Sequence, residues 1–262
     1  MPITASPQTL VQADTRKKFE PATWHNLYHR PDPTPSQQLF RRVTEEVSLA
    51  AQPLIQNKQL WLDLGSGTGE LSRQLANSGA EVIGIDLDPA MLRWSGQNVL
   101  KDSSVSLLAA TTTSIPCSRD SVDGVVAASL TGCLEDLASF WRELSRVLVP
   151  GGHAVVSFTN KQSALLALTS QWRRLNKLKD INHPCHGHFL RYRMNEIVHA
   201  ASNYGLQTIS NRYFNCFADF VNWSLPPVRF ARKLETVSPQ IVQQRVCRSF
   251  VMTFQNTKKP SY

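Results

Sequence analysis

No apolar run in the 262 residues approaches the length of about 18 that a membrane-spanning helix needs, so no transmembrane segment is expected. The first residues, Met-Pro-Ile-Thr-Ala-Ser-Pro, lack a basic segment followed by an apolar stretch, which argues against a secretory signal. Cysteine is scarce: five residues, an odd number, with no Cys-x-x-Cys, which points to reduced thiols and a cytoplasmic setting. Acidic residues are outnumbered, 20 against 28 basic, for a formal net charge of +8. The excess gathers at residues 16–42 and 171–193 and reads first as solvated helix faces. An anionic acceptor, a membrane surface or RNA are the alternatives. With 42% apolar and 18% charged residues the composition excludes a disordered chain. The length suits one sizeable domain with an appendage better than two full domains.

Glycine is sparse too, and its placement is informative: six of the twelve fall between residues 65 and 96. Leu62 to Gly69 reads as an apolar strand running into three alternating glycines, Gly65, Gly67 and Gly69, and a second apolar strand ends on Asp86. Glycines free a backbone to turn sharply and lie against a ligand, and a carboxylate closing an apolar strand is suited to accept both hydroxyls of a ribose. The pairing points to a nucleoside-containing cofactor. A dinucleotide fingerprint would place its third glycine at position 70, which is Glu70, and a carboxylate there is unfavourable beside a pyrophosphate.

The stretch Asp63, Gly65, Gly67, Gly69 resembles the first motif of the class I S-adenosylmethionine-dependent methyltransferases, commonly written D-x-G-x-G-x-G, and the resemblance runs from about residue 60 to 160. Its style is that of the small-molecule branch, which includes quinone-biosynthesis and natural-product enzymes. The resemblance implies S-adenosyl-L-methionine as cofactor and S-adenosyl-L-homocysteine as product. It implies that Asp63 faces the cofactor's amino group, although a carboxylate there would also cap the following loop. Leu87 and Met91 would lie against the adenine, with plain core as the other reading of Met91. Thr111 and Thr112 fall in the third motif, where Thr111 replaces a frequent aspartate, so moderate affinity is expected. The resemblance also implies that Ser129, at the end of strand four, lies beside the transferred methyl.

The fold class expected is α/β: a Rossmann-like, doubly wound, seven-stranded, mostly parallel sheet with an N-terminal helical lid and an insertion after strand five. Strands are read at 59–64, 80–86, 104–109, 122–129, 152–159, 206–216 and 245–255, with helices at 36–51, 136–148 and 194–203. Residues 1–50 would form the lid, 51–262 the methyltransferase domain, and 160–193 a cap over the acceptor pocket. The sheet's seven strands, the last one antiparallel, are taken from the resemblance.

Methyl transfer from a sulfonium is an in-line displacement, so orientation dominates and a base is needed only if the acceptor must lose a proton. Residues 128–133 lack the Asn/Asp-Pro-Pro-Tyr tetrad of nucleobase enzymes, and Cys133 stands where many relatives have histidine. Candidate bases are His25, His29 and His186. Candidate acceptor contacts are Trp24, Tyr28, Trp172, His188, Tyr192, Phe217 and Trp223. His183, Cys185, His186 and His188 are too crowded to close a tetrahedral site without a distant second pair, and no metal is expected. The partner expected is a small, largely apolar or aromatic molecule, with nucleic acid disfavoured.

Overall fold

Period-two alternation in the strands sorts their side chains onto two buried faces. On one face lie Leu62, Leu64, Val125, Ala127, Ala154, Val156, Phe250, Met252 and Phe254; on the other lie Trp61, Val126, Val155 and Val251. A sheet apolar on both faces needs helices on both, which is what the computed structural model contains. It describes residues 20–29, 35–101, 103–175, 190–216 and 237–258.

The described elements are α1 (Pro21–His29), α2 (Pro35–Ala51), β1 (Leu60–Leu64), α3 (Glu70–Asn77), β2 (Glu81–Asp86), α4 (Pro89–Asn98), β3 (Val105–Ala109), β4 (Val122–Ala127), α5 (Leu137–Val147), β5 (Leu148–Thr159), α6 (Ala164–Leu175), α7 (Met194–Ser202), β6 (Leu206–Phe214), α8 (Gln240–Val246) and β7 (Ser249–Asn256). The seven strands form one sheet in the order β3-β2-β1-β4-β5-β7-β6. Pairing is parallel except that β7 runs antiparallel to both β5 and β6. The order reverses direction between β1 and β4, and ligands in such sheets sit outside the carboxyl ends of the strands at that switch point.

Local chemistry explains the helix starts nearest the switch point. Asp88 accepts from the Ala90 N–H at 2.8 Å with Pro89 in the first turn, and Asp136 accepts from the Ser139 N–H at 2.9 Å. Helix α5 buries Phe140, Trp141 and Leu144 on the face opposite α2 and α3.

Two strand starts, and the state of two cysteines, differ from the sequence reading. Strand β5 begins at Leu148, because six residues of β5, Leu148 to His153, run against three of β4, Val122 to Gly124; the Pro-Gly-Gly segment is absorbed as an irregularity within the strand. The last strand begins at Ser249, since Gln240–Val246 is helical. Cys216 and Cys247 pair as a disulfide, correcting the reduced thiols expected for them. The ladder explains the pairing: continuing two residues past Phe214↔Ser249 sets Cys216 opposite Cys247. No described helix is long and apolar enough to cross a membrane.

Candidate active site

The loop from β1 to α3 is tied to the neighbouring strand before it reaches the helix. The N–H groups of Gly65 and Ser66 both donate to the Ile85 carbonyl, at 2.8 and 3.0 Å, and the Gly67 N–H donates to Asp86 Oδ2 at 2.8 Å. Gly65, Gly67 and Gly69 all have left-handed φ, at 73°, 52° and 84°. Their surroundings separate their roles. A Cβ on Gly69 would meet Ser95 Oγ at 2.3 Å and Leu100 Cδ1 at 2.9 Å, so this glycine serves close packing of α3 on α4 and not ligand approach. One on Gly67 would meet nothing nearer than a backbone oxygen at 4.0 Å, so the space over Gly67 is open.

Asp86 closes β2 with its second oxygen accepting from the Asp88 N–H at 2.9 Å. Each oxygen has spent one acceptor position on backbone and retains another. Burial raises its carboxyl above the usual range, opposed by the Asp88 and Gly67 hydrogen bonds. Leu87 is 57% exposed beside it, whereas Met91 is buried. Thr112 is buried, and Thr111 is exposed, its hydroxyl 3.0 Å from that of Thr113.

Asp63 is almost fully buried and accepts from Ser72 Oγ at 2.6 Å. Burial pushes its carboxyl up to about 7; the Ser72 bond opposes this and the charge of Asp86 adds to it. A carboxyl with a raised folded pKa holds its proton more tightly folded than unfolded. Its contribution is therefore fully present below about 3.8 and lost as pH rises to about 7. Asp63→Asn removes that slope: the variant's urea midpoint is expected to gain on wild type across this window. A constant difference between the two would contradict the assignment.

At the end of β4, Ser129 holds a left-handed φ of 57° and its N–H donates to Ser157 Oγ at 2.9 Å. Strain of this kind concentrates at working sites. The loop beyond is clamped from the far side of the insertion: the Tyr192 hydroxyl donates to the Thr131 carbonyl at 2.9 Å and the Leu190 N–H donates to the Gly132 carbonyl at 2.9 Å. Tyr192 is buried, with its hydroxyl pushed up to about 12 by burial, so it holds this loop instead of presenting a polar tip to an open mouth.

Helix α1 lies over the start of α3. His29 Nε2 stands 2.5 Å, and His25 Nδ1 3.6 Å, from Oε1 of the buried Glu70, while Arg73 Nη2 reaches the other oxygen at 3.2 Å. Burial lowers the His25 pKa, the neighbouring His29 lowers it further, and Glu70 opposes both. Tyr28 accepts from Thr44 Oγ1 at 3.4 Å, and burial raises its hydroxyl. Trp24 packs edge-on against Phe40, with centroids 5.5 Å apart. Trp172 falls within α6, but its side chain, like His186, His188, Phe217 and Trp223, lies outside the described residues.

This geometry has known counterparts. The family model described as "Methyltransferase domain" matches residues 62–156, the stretch from β1 through most of β5. Residues 62–156 form a methyltransferase domain. The matched span holds Asp63, the three glycines, Asp86 and Ser129. A biotin biosynthesis bifunctional protein, BioHC, from Cellvibrio japonicus is 31% identical over 121 residues, 46% of this chain and 24% of that protein. A demethylmenaquinone methyltransferase from Clavibacter sepedonicus is 38% identical over 96 residues, 36% of this chain and 39% of that protein. The chain thus spans about a quarter to two fifths of the length of these relatives. Among solved structures, magnesium protoporphyrin IX methyltransferase from Synechocystis, with bound SAH, superposes with a TM-score of 0.64 at 15% identity, covering 90% of this chain and 93% of that one. The fold is accordingly the Rossmann-like fold of class I methyltransferases.

Sequence reasoning missed Glu70 as the docking point of α1 and Ser157 as the support of the strand-four loop. The second had a signal: a lone hydroxyl in the apolar run Ala154-Val155-Val156-Ser157-Phe158.

Proposed function

We propose that the chain is an S-adenosylmethionine-dependent methyltransferase acting on N, O or C of a small, largely apolar or aromatic molecule. One observation carries the reading: Asp86 stands at the tip of β2 with acceptor positions unspent, bonded to Gly67, over which the space is open. That combination suits an adenosine whose ribose is held by the carboxylate while its amino-acid tail lies along the loop. The exposed face of Leu87 and the Thr111 hydroxyl are available to the adenine, and Asp63 to the ammonium of the tail.

The cofactor, when bound, supplies an electrophilic methyl on a sulfonium. The chain supplies orientation, which accounts for roughly 7 to 11 kcal/mol of such a barrier. Asp86 and the loop fix one end of the reacting pair, and the clamped, strained turn at Ser129 fixes the floor on which the acceptor would rest. Residues 1–50 as lid and 160–193 as cap fit this reading, since α1 lies over the loop helix and Leu190–Tyr192 brace residues 131–132. The quinone-biosynthesis name of the Clavibacter relative favours an apolar acceptor. His25 and His29 turn nitrogens toward Glu70, and this redirects them from the base role expected of them.

Calorimetry with S-adenosylhomocysteine is the direct test. One equivalent is expected to bind with micromolar affinity, with no heat from NAD and no retention of tRNA at physiological salt. Preference for NAD would overturn the cofactor reading, and salt-resistant tRNA binding the acceptor class.

A further inference from the structure

On α1, His25 and His29 sit four residues apart on one face and stack, with ring centroids 4.1 Å apart and planes at 28°. Both nitrogens nearest α3 address one oxygen of Glu70, a carboxylate that is only 6% exposed. Taking one donor atom from each side chain, the three lie within 4.8 Å of one another. His25 Nδ1 is shut off from solvent without a hydrogen-bond partner, and the ring of Trp94 lies 4.8 Å from the imidazole. Leaving a ring nitrogen buried and unpaired is costly unless something else binds it.

We propose that His25, His29 and Glu70 bind one divalent transition cation of the zinc class, fastening α1 to the start of α3.

Two imidazoles and a carboxylate are a donor set that zinc accepts, and imidazole nitrogens select it over magnesium or calcium. Zinc bonds of about 2.0–2.1 Å at tetrahedral angles separate donors by about 3.3 Å. The present spacings of 2.5 Å for His29 and 3.6 Å for His25 from Glu70 Oε1 bracket that value, and with all three donors within 4.8 Å of one another, closing on one cation takes a shift of about 1.5 Å at most. Arg73 holds Glu70 Oε2 and so orients Oε1 toward the histidines, the outer-shell role that ligating carboxylates commonly require. The fourth position falls to water. The site draws its three donors from α1 and α3 alone, and these meet at the helix that the glycine loop feeds, so a bound cation would hold the cover over the cofactor groove.

The test uses the full chain stripped with chelator and titrated with Zn²⁺ by calorimetry, and with Co²⁺ to read tetrahedral absorption. One equivalent is expected at this site. His29→Ala and Glu70→Gln should each weaken it at least about tenfold. Their circular dichroism should match wild type and each should still bind one equivalent of S-adenosylhomocysteine, which separates failure of this site from failure of the methyltransferase reading. Because His183, His186 and His188 are themselves zinc donors, a triple alanine variant at those positions serves as control. Binding that survives in that triple variant and vanishes with His29→Ala supports the proposal. Binding with the opposite pattern, or no zinc uptake at all, overturns it. Should His29→Ala fail to fold, loss of the Co²⁺ absorption in Glu70→Gln decides the matter alone.

Discussion

An Asp86→Ala variant is expected to lose S-adenosylhomocysteine binding by at least about 100-fold. Two ribose hydroxyls donating to a carboxylate contribute about 1.5–3 kcal/mol each, so truncation costs about 3 to 6 kcal/mol of binding. The same carboxylate anchors the Gly67 N–H at 2.8 Å and the Asp88 N–H at 2.9 Å, so its removal also loosens the loop. Asp86→Asn separates the two effects. The amide keeps one acceptor but turns an NH₂ group toward a backbone donor or a ribose hydroxyl, so an intermediate affinity is expected. Calorimetry reads both variants, and thermal melts check that the fold persists. Affinity within threefold of wild type in Asp86→Ala would remove ribose recognition from this residue.

The parts of this molecule that were legible in the sequence are those governed by local pattern. Alternation in β1, β2 and β4 and the periodicity of α5 follow from burial on one or two faces, and the strands lie within two residues of where pattern alone set them. The β5 start was missed because Pro150-Gly151-Gly152 reads as a stop, and only the neighbouring strand's register absorbs the surplus residues. The Cys216–Cys247 pairing depends wholly on the β6–β7 register, which no spacing in the chain reveals. At the candidate site, the place of Asp86 at the end of β2 was legible because the apolar run of that strand stops at this carboxylate. The role of Gly69 was not: only the approach of Ser95 and Leu100 shows that it serves packing. Glu70 looked permissive by its motif position, and its meaning emerged from α1, a helix remote in sequence. Tyr192 suffered from the same blindness, since an aromatic beside an insertion reads as a contact residue until its hydroxyl is found bonded to the Thr131 carbonyl.

Gly124→Ala is expected to produce the largest loss of stability of any single methyl added to the central strands. Gly124 stands beside Trp61 in the β1–β4 ladder, and a Cβ there would lie 2.3 Å from Cδ2 and Cε2 and 2.5 Å from Cε3 of the indole. The ring has no exposed surface and sits in the cluster with Val47, Leu71, Leu75 and Val126, so it has nowhere to rotate. Overpacking of a filled core costs typically 1–3 kcal/mol and more where the neighbour is rigid, so about 3 kcal/mol or above is expected, read from urea midpoints. A double-mutant cycle makes the cause specific. Trp61→Leu alone should destabilise through the cavity it leaves, yet combined with Gly124→Ala the two should cost much less than their sum, because the methyl then enters vacated space. Additive losses would place the defect elsewhere. The consequence reaches the groove, since β1 runs from Trp61 through Asp63 directly into Gly65. A displaced indole shifts the strand that carries the loop, so S-adenosylhomocysteine affinity should fall in the single glycine variant and recover in the double.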